Sequence, residues 1–224
     1  MTEPVSLAKM KAHLRIFHSQ QDDLITDLIT QAREAIEADT WLRLIPTTMT
    51  AVRRWFPGGT SPGASNYPYN QYPGNAFQAG TFPNTSSVGL RGRSDAPLYL
   101  PGPPLRSITS VIYIDDSGNS QTLTAYRSQL LKKPGWIEPA FGSVWPATQD
   151  DPNAVTVVYQ AGFDAEDDNT TLRGKCPGPL KRAILLLAAD FYENGGPTPI
   201  KGRDTIERLV EKFRVRHSGL LETV

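Results

Sequence analysis

The chain is 224 residues long and carries 23 basic and 23 acidic side chains, so its formal charge is zero. That length suits one elaborated domain or two small ones. The charge balance argues against an electrostatic nucleic-acid binder, which needs a basic excess, and leaves no long-range repulsion between copies. The single Cys176 has no internal disulfide partner, and the opening MTEPVS lacks an apolar signal core. Together these predict synthesis in a reducing, intracellular compartment. The longest apolar run, AILLLAA at 183–189, falls far short of the roughly 20 residues a membrane span needs, so no membrane partner is expected.

The N-terminal region reads as helical. Ser6 caps a short first helix, with Val5 and Met10 placed for a hydrophobic staple. A second helix is expected from Ser19, with Asp22 and Asp23 in its first turn, where the helix dipole favours anions. Leu24, Leu28, Ile29, Ala32 and Ile36 form its expected buried stripe, and Arg33, Glu34 and Glu37 its wet face. Pro46 forbids continuation beyond Trp41.

From Thr47 the period changes to that of strands. Residues 48–56 and 107–115 read as strands, the second rich in β-branched residues. DDSGN at 115–119 is a turn and SQTLTAY its returning strand, which makes 107–126 a hairpin. WIEP (136–139) and AVTVVYQAGF (154–163) supply further strands. Between the first two lies a tract, 57–97, that breaks every pattern. It has no charged residue from Pro57 to Leu90, and within SNYPYNQYPGNAFQAG no Leu, Ile or Val, yet a Tyr or Phe recurs every few positions. Rigid amphipathic rings among Asn, Ser and Gly are the composition of adaptable binding loops. The tract therefore reads as a loop suited to contact with another protein chain, carried by Tyr67, Tyr69, Tyr72, Phe77 and Phe82. A loop that merely decorates the surface is the alternative.

Helices return after Pro177. Leu180, Ala183, Ile184, Leu187 and Phe191 share one face, and Leu185, Leu186 and Ala188 make this helix apolar nearly all round, which predicts a central position. NGGPTP at 194–199 stops it, and Asp204 with Glu207 resembles a capping box opening a last helix with the stripe Ile206, Leu209, Val210 and Phe213. The expected fold class is α+β: a helical core of two N-terminal and two C-terminal helices with an inserted antiparallel β domain carrying a long irregular loop. The expected divisions are N-terminal helices at 1–46, the β domain at 47–165, C-terminal helices at 177–214 and an arm at 215–224.

No catalytic constellation, cofactor motif or metal site is legible. His13, His18 and His217 lack ligand spacing, Cys176 stands alone, and Asp115 and Asp116 read as turn residues. DAEDD at 164–168 lacks the glycine-punctuated spacing of a calcium loop. GLRGR at 89–93 reads as a return to charged surface, and Trp136 and Trp145 either cap a small β core or form a sugar platform.

Four segments in order, LAKMKAHLRI with DDLITDLITQAREAIEADT, PGPPLRSITSVIYIDDSGNSQTL, NAVTVVYQAGF and CPGPLKRAILLLAADFYEN, resemble the head–tail connector (adaptor) proteins of long-tailed bacteriophages. The resemblance covers most of residues 5–194 and skips 57–97. It implies a structural virion protein of the neck between capsid and tail, assembled in the host cytoplasm, and not an enzyme. It implies a homo-oligomeric ring, usually twelve-fold, that joins the portal to a stopper or tail-terminator protein and passes DNA non-specifically through its channel. It also implies a portal-docking role for the C-terminal arm, whose candidate contacts are Arg214, Arg216, His217, Leu220 and Leu221. A frayed terminus is the plain alternative for the arm. For the whole chain the alternative is a carbohydrate- or host-surface-binding β module on a helical base, which predicts exposed Trp136 and Trp145.

Overall fold

The computed structural model describes residues 3–57, 96–164, 175–195 and 203–215. Among them are four α-helices and seven strands, an α+β fold. Helix α1 (Leu7–Leu14) begins where expected: the Ser6 hydroxyl accepts a hydrogen bond from the Lys9 amide at 3.3 Å, and Val5 and Met10 are both buried. Helix α2 (Asp22–Thr40) starts three residues later than Ser19, because Ser19–Gln21 form a turn in which the Ser19 carbonyl accepts from the Asp22 amide. Asp22 and Asp23 do occupy its first turn, and Trp41 closes it in the left-handed conformation at φ 60°.

Two corrections concern the faces of α2. Ile25 is buried in the stripe, while Leu24 is 49% exposed. Arg33 and Glu37 are buried rather than solvated. The reason is tertiary. Residues 3–5 cross one end of this face and the 42–44 segment folds over the other, so both charged groups are enclosed and paired. Arg33 Nε meets Glu3 Oε2 at 2.9 Å, and its Nη1 meets Glu37 Oε2 at 3.1 Å. Glu37 Oε1 accepts from the Leu44 amide at 2.7 Å, and Arg43 Nη1 reaches Glu37 Oε2 at 3.2 Å. Buried charges persist only when paired and hydrogen-bonded in this way.

The strands form two antiparallel sheets. One has the order β1 (Thr47–Arg53), β7 (Val155–Ala161), β3 (Leu105–Ile114), β4 (Ser120–Thr122). The other has the order β2 (Leu98–Leu100), β6 (Gly135–Pro139), β5 (Tyr126–Gln129). The expected hairpin is present, but its returning strand is shorter than 120–126: β4 stops at Thr122, and Tyr126 already belongs to β5 in the other sheet. β1 also ends early, at Arg53, because Phe56 turns inward. The short strand β2 is too brief to show alternation in the sequence. In β7, Val155, Val157, Tyr159 and Ala161 point into the core, and the Tyr159 hydroxyl donates to the Pro101 carbonyl at 2.8 Å. Burial raises the Tyr159 pKa well beyond the usual phenol range.

Helix α3 (Gly178–Asn194) touches each of the other three helices, with Leu180, Ala183, Ile184 and Ala188 buried, as its apolar circumference requires. Gly195 caps it in the left-handed region at φ 63°. Helix α4 (Arg203–Val210) runs into a short 3₁₀ turn, Glu211–Phe213. Asp204 lies within the described span of this helix. The buried apolar residues fall into two clusters. One joins the helices with Leu42, Leu44, Phe163 and Cys176, and the other fills the β region around Tyr159, Phe56, Val111, Ile137 and Trp145.

Candidate assembly surfaces

The uncharged tract leaves and returns at one place, and a single side chain holds both ends. Phe56 is fully buried, and its ring stacks on the Trp145 indole with centroids 4.5 Å apart and planes 3° from parallel. The same indole donates Nε1–H to the Ala96 carbonyl at 2.7 Å. Tyr113 packs edge-on against Phe56 at 5.9 Å. Residues 56 and 96 are thus tied to one rigid aromatic pair. The aromatic stack gains more than area burial alone, and the indole N–H has its partner. Trp145 takes the core-capping role and is removed from any sugar platform. The candidate contacts Tyr67, Tyr69, Tyr72, Phe77 and Phe82 lie outside the described residues, as does the 89–93 cluster.

Beside the returning end, an open cleft of about 680 Å³ is lined by Ala96, Pro97, Arg127, Glu138, Phe141 and Val144. Phe141 is 90% exposed and Val144 is 61% exposed. Arg127 pairs with Glu138 at 2.6 Å and lies 6.0 Å over the Phe141 ring. An exposed aromatic flanked by an organised ion pair has the character of an interaction surface and not of a reaction centre.

The root of the C-terminal arm is docked on its own chain, at the end of α2. The Arg214 guanidinium grips Asp39 with Nη2 at 2.6 Å from Oδ1 and Nε at 3.2 Å from Oδ2. The hydrogen bonds to Asp39 hold its pKa above even the usual arginine range. The Val215 amide donates to the Thr40 carbonyl at 3.0 Å, satisfying an orphan carbonyl at the end of α2. Arg214 therefore sits with the helices, while Arg216, His217, Leu220 and Leu221 lie outside the described residues.

Asp115 accepts from the Ser117 and Asn119 amides and from Gln121, and these bonds, Gln121 first, hold its carboxyl below the usual range. It organises the β3–β4 turn. Among the described residues, no group of three or more His, Cys, Asp or Glu could hold a metal ion, and no helix is long and apolar enough to cross a membrane.

Comparison with known proteins bears on the same residues. Residues 4–68 match the family described as phage gp6-like head-tail connector protein. That span contains α1, α2 and β1, the first of the segments that carry the resemblance in the sequence. Among curated proteins, none matches the chain. Among solved structures, the fold is similar to a chain from the neck of an empty GTA particle computed with C6 symmetry. That chain is 19% identical, with a TM-score of 0.62, and the match covers 96% of this chain and 91% of the other. A chain from the neck of a native GTA particle computed with C12 symmetry is 20% identical with a TM-score of 0.61, covering 94% and 88%. A chain from the virion of a native gene transfer agent particle is 19% identical with a TM-score of 0.63, covering 96% and 91%. The fold similarity thus extends over nearly the whole chain, including the strands after β1 and the C-terminal helices that the family match does not reach.

Proposed function

We propose that this protein is a structural component of a virion neck. In this reading it forms a ring that joins the portal of a DNA-filled capsid to a stopper or tail-terminator protein, with DNA passing through the centre. One observation carries the reading: a connector-family match over residues 4–68 joined to a neck-protein fold over nearly the full length of both chains. The helices form the base and the two sheets the projecting part. The absence of net charge removes long-range repulsion between copies, and the tract whose two ends Trp145 ties together is the proposed contact, repeated once per subunit. The arm beyond Val215, through Arg216, His217, Leu220 and Leu221, is the portal-side contact in this reading.

Light scattering on the purified protein, alone and with its portal protein, tests the reading. A discrete oligomer of six or twelve copies, or a stoichiometric complex with the portal ring, is the expected result, in line with the symmetries of the similar necks. A monomer at every concentration that also ignores the portal would refute it.

A further inference from the structure

Strand β1 lies at the edge of its sheet. It pairs with β7 along all seven residues on one side, and among the described residues no strand pairs with it on the other. Thr48, Thr50 and Val52 are exposed along it, and no charge appears before Arg53. Edge strands are ordinarily guarded by a charge, a proline or a bulge; the middle of β1 has none of these. The opposite edge of the sheet, β4, is equally bare: Ser120, Gln121 and Thr122 are uncharged and exposed.

The register fixes how two such edges would meet. Arg53 is level with Val155, which is level with Tyr113, which is level with Gln121. Three antiparallel steps make β1 antiparallel to β4. Repeating the sheet about an axis that runs along the strands therefore sets β1 of one copy antiparallel to β4 of the next. The same operation brings Arg53 and Arg54, at the C-terminal end of β1, to the end of the sheet that carries the Asp115–Asp116 turn. Arg54 already pairs with Asp150 at 2.5 Å, and Asp115 is occupied within its turn, so the complementary charges at the seam are Arg53 and the exposed Asp116. The two edges are different surfaces, and a contact between different surfaces is the kind that closes a ring.

We propose that the open edge of β1 takes up the β3–β4 hairpin of a second copy of this chain as an added antiparallel strand, with the Arg53 end meeting the neighbour's Asp116 turn. The inference rests on the ring reading above and names its seam. Backbone hydrogen bonds across such a seam supply affinity without a large apolar patch.

The test begins with sizing of the wild-type protein, so that failure of the ring and failure of the seam are told apart. Val52 and Thr122 are level through Thr156 and Ile112, yet within one chain they stand three strands apart, about 14 Å. That exceeds the roughly 7 Å a disulfide can span, so Val52→Cys with Thr122→Cys can only link different copies. Oxidation of the assembled double variant should give a ladder of covalent oligomers on a non-reducing gel, with at most dimers from either single variant. In parallel, amide exchange in β1 should slow roughly tenfold or more on going from dilute monomer to ring. Rings without a ladder and without new protection would overturn the seam while leaving the ring standing. Protection without a ladder would overturn the assignment of β4. Full protection of β1 already in the monomer would show that the chain covers its own edge and would equally overturn the proposal. A wild-type protein that never forms rings would remove both.

Discussion

Gly162 shows how one residue can fix the junction between the β region and the helices. It follows β7 at φ 112°, its amide donates to the Pro104 carbonyl at 2.8 Å, and a Cβ there would collide with the Ile45 carbonyl. Backbone cannot yield as a side-chain tip can, so Gly162→Ala should cost about 2 kcal/mol or more, read as a lower midpoint in denaturant. Asp115 gives a pH-dependent prediction. Its folded pKa is depressed, so its contribution is present above the ordinary carboxylate pKa and lost as pH falls through the lower folded value. The Ser117 and Asn119 amides should therefore lose protection in acid, and Asp115→Asn should flatten that dependence, as measured by amide exchange. Gly162 was visible in the sequence only as part of AGF; its neighbour Ile45 is 117 residues earlier, and only the fold brings them together.

At the scale of elements, the charged face of α2 and the base of the tract carry the structure. Glu37 satisfies the Leu44 amide and two arginines at once, tying the helix to the segment that leads into β1. Glu37→Ala would leave that amide and a buried guanidinium short of a partner, at a cost of about 3 kcal/mol by chemical denaturation. Helical periodicity had assigned both Arg33 and Glu37 to water, because a period reports the faces of a helix but not what crosses them. The tract's base makes the opposite case. Because Trp145 already holds residues 56 and 96 together, a short linker replacing 58–95 should leave the melting temperature within a few degrees of wild type. If contact is its role, joining to the neighbour or tail partner should weaken in the same variant; unchanged assembly would leave decoration as its role.

For the whole molecule, α3 is the element on which the helical cluster depends. Leu187 is buried in it among the other helices, and Leu187→Asp would place an unpaired carboxylate there. Loss of cooperative melting is the expected outcome in calorimetry; a near-wild-type transition would contradict the packing described. The same scale governs assembly. A cleft with an exposed Phe141, a clasped C-terminal root and a bare sheet edge are three different surfaces, and under the neck reading proposed above each is available to a different neighbour.

Much of this was determined by sequence alone. The Ser6 cap, the acidic first turn of α2, the β-branched run of β3, the DDSGN turn and the apolar circumference of α3 are local signals, and each became the element it announced. The ordered segments that resemble head–tail connectors were legible for the same reason, since motif order survives without knowledge of contacts. The tertiary structure alone decided where β4 ends and β5 begins, because three-residue strands have no period to read. It decided that Ile25 faces inward and Leu24 outward, a single step of 100° that packing resolves and pattern does not. It also decided that Arg33 and Glu37 are enclosed, that Trp145 joins residues 56 and 96, and that Arg214 clasps Asp39. Each of those depends on residues far apart in the chain, and the sequence records the chemistry of such partners but not their meeting.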